Sequence, residues 1–266
     1  MIQIKRKILL STILLTGAAG FIGYHTTRAL TEKGYAVIGL DNLNDYYDPA
    51  LKQARLKQRE NLENFTFVKG NVSDGHVLDR ITAEHRDIDV IIHLAAQAGV
   101  RYSLENPESY EHSNLSGQMR MLELARRLQN EGQLKHFIYA SSSSVYGANT
   151  KLPFSVEDRV DHPVSLYAAT KKAGEMLAQS YAHLYRIPST GLRFFTVYGP
   201  FGRPDMAYYS FTKALFEGRG LKYSITAIWG AISPLLMILS QGYLPVSTHR
   251  PKPGMKERKP ARRIAC

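Results

Sequence analysis

Three stretches of the chain bring together side chains that can do chemistry. Tyr167-Ala168-Ala169-Thr170-Lys171 puts a phenol and an amine four residues apart, on one face of a helix. An ammonium beside a phenol stabilises the phenolate, and bringing its pKa from about 10 toward 7 takes about 4 kcal/mol of differential interaction. A phenolate so formed can take a proton from a hydroxyl. By itself the spacing is common and is most often a surface pair. Ser141-Ser142-Ser143-Ser144-Val145-Tyr146-Gly147 follows an apolar run, so its hydroxyls lie at the carboxyl end of a strand. There a doubly wound sheet binds its ligands, and a hydroxyl can bond a substrate oxygen.

The third stretch is Gly17-Ala18-Ala19-Gly20-Phe21-Ile22-Gly23, between a strand and a helix. Glycines allow a tight turn and a close approach to a pyrophosphate, whose charge then sits at the positive helix N-terminus. Gly17, Ala19, Gly20, Phe21, Ile22 and Gly23 are therefore the expected phosphate-side contacts. Asp41 ends the next apolar run 18 residues after Gly23, followed by Asn42. A carboxylate there accepts hydrogen bonds from both adenosine-ribose hydroxyls, which favours NAD over NADP.

Elements to position these groups alternate along the chain. Strands are expected at Ile13–Thr16, Ala36–Leu40, Phe65–Lys69, Val90–Ile92, Phe137–Ser141 and Thr190–Phe195. Helices are expected from Phe21 to Lys33, from Asp48-Pro49 to Asn61, from Asp74 to His85, and at Asn114–Asn130, Tyr167–Tyr185 and Ala207–Glu217. Asp48 and Pro49 are a cap residue and a first-turn proline. Ala168, Ala169 and Ala173 form a face that can pack closely. The alternation predicts an α/β fold, a Rossmann-type doubly wound parallel sheet. Residues 1–221 would be this domain and residues 222–266 an aberrant basic tail.

Composition narrows the class. Hydrophobic residues make up 44% of the 266 and charged residues 21%, ordinary for a globular domain. The net charge of +11 resembles a nucleic-acid signal, but residues 222–266 alone carry eight Lys or Arg against one acid, Glu257. A basic tail on a near-neutral body is not a basic binding face, so no nucleic-acid partner is expected. The single cysteine, Cys266, excludes an intrachain disulfide and a thiolate zinc site, and no metal is expected. Lys5-Arg6-Lys7 and the apolar residues after it read as the approach to the first strand rather than a leader, which makes a cytoplasmic location the expectation. Ile225–Val246 is long enough to span a bilayer but contains Ser233, Pro234, Ser240 and Gln241, and is read as no membrane helix. His93, inside an apolar strand, is read as structural rather than catalytic.

In this order, over about Ile13 to Gly218, the three stretches resemble the extended short-chain dehydrogenase/reductases. The resemblance implies Tyr167 as general base and Lys171 as the residue that bonds the nicotinamide ribose and lowers the Tyr pKa. It also implies that Ser142, four before Tyr146, orients the sugar hydroxyl. Longer runs resemble the UDP-glucuronate 4-epimerases within the NAD-dependent epimerase/dehydratase family: Asp41 through Pro49, His93 through Tyr102, Arg193 through Pro200, and on through Gly202-Arg203-Pro204-Asp205. That likeness implies NAD contacts at Leu94, Ala95 and Ala96 and at Asn71 and Val72. Asn71 is a departure, since relatives usually carry an Asp there that bonds the adenine. It further implies a UDP-sugar, most closely UDP-glucuronate, contacted by Arg101, Ser142, Ser143, Ser144, Thr196 and Arg203, and a homodimer in intact relatives. A guanidinium suits the sugar carboxylate because it bonds both oxygens. The related 4,6-dehydratases would need acids where Ser143 and Ser144 stand, which argues against them. A non-catalytic NAD-binding remnant is the other alternative.

After Leu221 the strand–helix grammar stops, and Arg250–Arg263 is expected to be disordered. Read two bases out of frame, plausible codons for Ile225–Leu239 give a string that resembles the family's next segment. One element is forced: the codons of Met237-Ile238 must contain GAT, an Asp codon. A frameshift between about Arg219 and Ile225 is therefore expected, against a membrane anchor or a basic partner-binding tail. It would remove the donor-nucleotide subsite and leave poor solubility and little epimerase activity. The gene read across codons 215–230 in independent isolates should show the shifted frame; a clean frame in all of them contradicts it.

Overall fold

The computed structural model describes residues 11–219 and, as backbone only, residues 263–265. The expectations for residues 222–262, including the Ile225–Val246 stretch and the frame change, lie outside the described residues.

Among the described residues seven strands form one parallel sheet in the order β3-β2-β1-β4-β5-β6-β7. They are β1 (Thr12–Thr16), β2 (Ala36–Asp41), β3 (Phe65–Lys69), β4 (Ile88–His93), β5 (His136–Ser142), β6 (Ser189–Phe194) and β7 (Arg263–Ala265). The helices α1 (Phe21–Glu32), α2 (Pro49–Lys57), α3 (Gly75–Glu84), α6 (Gly117–Asn130), α7 (Leu166–Tyr185) and α8 (Ala207–Phe216) follow successive strands. Two short helices, α4 (Tyr102–Glu105) and α5 (Pro107–Tyr110), lie between β4 and α6. β1 pairs with both β2 and β4, so the strand order reverses there and a crevice opens at the carboxyl ends of β1 and β4.

Covering both faces makes the central strands apolar throughout. All five residues of β1 are buried. Leu14 joins Ile91 and Phe137 under Ile81, Met121, Leu122 and Ala125 of α3 and α6. Ile13 and Leu15 point the other way, with Val37, Val90 and Ile138 and with Leu30 of α1. Each fully buried aliphatic side chain of this kind contributes roughly 1.5–3 kcal/mol.

The expected elements are present, with four differences. α2 stops at Lys57 rather than near Asn61. The helix expected from Asn114 begins instead as a π-helical segment, Glu111–Ser116, with α6 starting at Gly117. Of the three alanines on α7, only Ala168 is buried; the packed face continues through Lys171, Gly174, Glu175 and Ala178. At the sheet edge, β7 pairs with β6 from Arg263, so that residue is not irregular as expected. The unpaired edge groups of β6 give even three residues backbone partners. Among the described residues no helix is long and apolar enough to cross a membrane.

Two glycines set the close packing. Gly17 has φ of +73°, and a Cβ there would sit 2.8 Å from the Ala95 nitrogen. A Cβ on Gly23 would meet the Gly17 oxygen at 2.0 Å. Gly23→Ala is therefore expected to destabilise the fold by about 3 kcal/mol or to prevent folding. Gly174→Ala, whose new methyl meets only Gln118 at 3.8 Å within a helix, should stabilise by up to about 1 kcal/mol. Urea unfolding of both variants measures this, and equal effects would contradict it.

Candidate active site

The crevice is walled on one side by the turn after β1. Gly17, Gly20, Phe21, Ile22 and Gly23 line it, with Asp41 and Asn42 from the end of β2 and Asn71 and Val72 from the end of β3. α1 begins at Gly20 with no side-chain cap, so its first N–H groups are free to bind an anion. Asp41 is buried; its Oδ2 accepts from the Ala19 N–H at 3.1 Å and its Oδ1 from the Leu43 N–H at 2.8 Å. Those two bonds fix the carboxylate and leave it lone pairs for a diol. Leu94, Ala95 and Ala96, after β4, form the floor. Asn71 is held by Ser73, whose N–H and hydroxyl both donate to its Oδ1, at 3.2 and 3.0 Å.

The opposite wall is α7, capped by Ser165, whose hydroxyl accepts from the Ala168 N–H at 3.1 Å. Tyr167, Lys171 and Ser142 all line the same crevice as Gly17 and Gly20. The Lys171 ammonium donates to the Ala140 carbonyl at 3.0 Å. Burial pushes its pKa down to about 8. Burial also pushes the Tyr167 phenol up, opposed by a hydrogen bond with Ser142 and then by the charge of Arg203. The ammonium is drawn to the end of β5, and Ser142 and Arg203 are what oppose the burial. Beneath them, Glu175 accepts from Ser141 Oγ at 2.7 Å and pairs with Arg193 at 2.9 Å, both side chains only 2% exposed.

Thr196 and Arg203 also line the crevice. Arg203 is not free, however. Its Nε donates to Asp205 Oδ1 at 2.9 Å and its Nη2 to Asp205 Oδ2, while the Tyr46 hydroxyl donates to Asp205 Oδ2 at 3.0 Å. An incoming carboxylate would meet the remaining N–H groups or displace Asp205.

Four expected site residues do not line the crevice. Ala19 is fully buried behind the turn, its peptide tied to Asp41. Arg101 is exposed, at the N-cap of α4. Ser143 and Ser144 lie in a 3-10 segment beside the crevice, where Ser142 Oγ accepts from the Ser144 N–H at 3.1 Å and donates to the Ser144 hydroxyl at 3.2 Å. The sequence reading also missed contributors. Asn44, Tyr46, Tyr47 and Lys52 line the crevice, and Lys52 donates to Asn44 Oδ1 at 2.6 Å. Buried Asn114, on the π-helical segment, donates to the Thr170 hydroxyl and the Gln97 carbonyl, both at 3.0 Å. It thereby ties the β4 loop to α7 between Tyr167 and Lys171. Its only signal was a polar residue at a helix start, which ordinarily means a cap.

Comparison with known proteins gives one family model over residues 13–233, described as the NAD dependent epimerase/dehydratase family. UDP-glucuronate 4-epimerase 4 of Arabidopsis thaliana is 50% identical over 222 residues, 84% of this chain and 50% of that protein. Protein CapI of Staphylococcus aureus is 53% identical over 209 residues, 79% of this chain and 61% of that protein. The chain therefore spans between half and two thirds of the length of these curated relatives. Among solved structures, UDP-glucuronic acid 4-epimerase from Bacillus cereus, in complex with UDP-glucuronic acid and NAD, matches with a TM-score of 0.79. It is 32% identical, covering 90% of this chain and 74% of that one.

His93 stays structural, as expected: it is buried and its Nδ1 lies 2.7 Å from Thr16 Oγ1, which also accepts from the Ala95 N–H. Burial, then the charge of Lys171, pushes its pKa down to about 3. An unfolded imidazole titrates near 6.5, so between these values only the unfolded chain takes the proton. Stability is then full above about pH 6.5 and falls toward pH 3, by up to about 1.4 kcal/mol per pH unit from this group. Urea unfolding across that range should show a shallower pH dependence for His93→Asn; an unchanged slope would contradict the assignment.

Proposed function

The chain belongs to the NAD dependent epimerase/dehydratase family, and on that premise we propose that it binds NAD and epimerises a nucleotide sugar at C4, UDP-glucuronate being the substrate. One observation carries the reading: Tyr167, Lys171 and Ser142 line the same crevice as Gly17, Gly20 and Asp41. The residues present fit the cofactor. Gly17 and Gly23 pack against the backbone of Ala95 and of the turn itself, which keeps the turn tight and its crevice side clear of side chains, and Asp41 is held with its carboxylate on the crevice. NAD, when bound, supplies a reversible hydride acceptor.

The rest of the chemistry falls to the chain. Tyr167, as phenolate, takes the proton of the sugar C4 hydroxyl and returns it when the keto-sugar has presented its other face. Ser142 holds the same oxygen, and its bond to Tyr167 keeps the two groups on one atom. Lys171, anchored on Ala140, keeps its other N–H groups for the ribose. Arg203, with Thr196, marks the acid end of the sugar, and the preference for UDP-glucuronate rests on that guanidinium. A UDP-sugar with a neutral C6 group would leave the fork without a second carboxylate.

A second reading, dinucleotide binding without turnover, is supported by the apolar side chains at the end of α8: Leu215 is 66% and Phe216 89% exposed. Adjacent exposed apolar side chains of that kind mark a surface built to be covered.

Titrating NAD and assaying UDP-glucuronate on the same sample separates the two, binding without turnover favouring the second. If turnover is present, Tyr167→Phe is expected to lower it by about 10³ or more while leaving NAD affinity within about threefold. The rate should climb with pH on the alkaline side, because burial holds the phenol protonated. A Tyr167→Phe protein that keeps more than a tenth of the rate would remove the base from the mechanism.

A further inference from the structure

We infer that Arg55 is a positioning residue that couples the phosphate-side turn to the loop carrying Arg203, so that a dinucleotide seated on the turn stiffens the acid-sugar end of the crevice. The inference rests on the proposed reading of the crevice as an NAD and acid-sugar site.

Arg55, on α2, is 0% exposed, and among the described residues it has no ion pair. Burying an unpaired guanidinium costs several kcal/mol unless its N–H groups find acceptors. Here Nε finds none among the described residues, and the acceptors of the other two nitrogens belong to two separate parts of the site. Nη1 donates to the Ala19 carbonyl at 2.8 Å and to the Tyr47 hydroxyl at 2.7 Å. Nη2 donates to the Phe201 carbonyl at 2.7 Å. One rigid fork thus joins the glycine-rich turn to the residues just before Arg203.

The Ala19 peptide is gripped from both ends, its N–H by Asp41 and its carbonyl by Arg55. Phe201 is held at a φ of +58°, a conformation that a phenylalanine rarely adopts without outside support. Its ring packs against Tyr24 of α1 at 5.1 Å, and the Pro200 carbonyl next to it bonds the His25 ring at 2.9 Å. A second arm runs in parallel: Tyr46, the neighbour of Tyr47, bonds Asp205, which in turn holds Arg203. The adjacent tyrosines therefore reach the same loop by two routes, one through Arg55 and one through Asp205. Shape and charge together explain why a guanidinium stands here. A lysine keeps the charge but has one nitrogen, which cannot bridge the Ala19 and Phe201 carbonyls as a planar fork does.

Hydrogen exchange of the full chain, followed at residues 199–206 with and without saturating NAD, tests the coupling. In the wild-type chain NAD should slow exchange there by about fivefold or more, and in Arg55→Lys by less than about twofold with NAD still saturating. Circular dichroism confirms the folded state of the variant. A role confined to holding α2 in place would raise exchange equally with and without NAD and leave the NAD-dependent ratio unchanged, which overturns the inference. Wild-type chain that binds NAD with no change at 199–206 overturns it too, whether or not the variant folds. Wild-type chain that binds no NAD sinks the functional reading itself and this coupling with it.

Discussion

The site depends on how α7 is seated against the end of β5. Three buried polar contacts fix that seat: Lys171 on the Ala140 carbonyl, Ser141 on Glu175, and Glu175 on Arg193 of β6. A buried ion pair is weak evidence for stability, since its desolvation offsets most of the attraction. Its value here is one of register. If α7 slid by one turn along β5, Glu175 would leave Arg193 charged in an apolar layer, a penalty of several kcal/mol. With the register set, Tyr167 lies over Ser142, and both face the turn at Gly17.

That arrangement accounts for how the two walls of the crevice divide their work. The β1 side offers backbone: free N–H groups at α1 and close approaches that only glycine permits. The α7 side offers titratable groups whose pKa values burial moves in opposite senses, the phenol up and the amine down. Both shifts favour the neutral forms, so the wall is poised to answer charge placed beside it. Arg203 stands at the third corner, with Nε and Nη2 on Asp205 and its other N–H groups left over. The site is thus held in a closed polar network, each member of which has an internal partner.

Much of this was legible in the sequence because the informative features are local. A glycine turn between a strand and a helix, an acid at a strand end, and a Tyr–Lys pair one helical turn apart need only spacing and periodicity to be read. The fold class followed from the alternation of apolar runs, since strands covered on both faces must be apolar on both. Contacts between distant segments were not legible. Tyr46 reaches Asp205, Arg55 reaches Phe201, and Asn114 reaches Thr170, each across tens of residues and each with a side chain that alone reads as a solvated polar group. Arg101, Ser143 and Ser144 share short motifs with crevice residues without lining the crevice themselves, although the Ser144 hydroxyl bonds that of Ser142. Where the long lysine side chain goes was not legible either: helical spacing brings the Cβ atoms of Tyr167 and Lys171 together, while the ammonium of Lys171 reaches a carbonyl on the sheet.

The most direct measurement is a crystal structure of this chain with NAD. The account predicts a pyrophosphate over Gly17 and Gly20, an adenosine ribose on Asp41, and a nicotinamide with the Tyr167 and Ser142 hydroxyls at its reacting face. A dinucleotide bound away from the Gly17–Gly23 turn, or a Tyr167 hydroxyl turned from the nicotinamide, would contradict it.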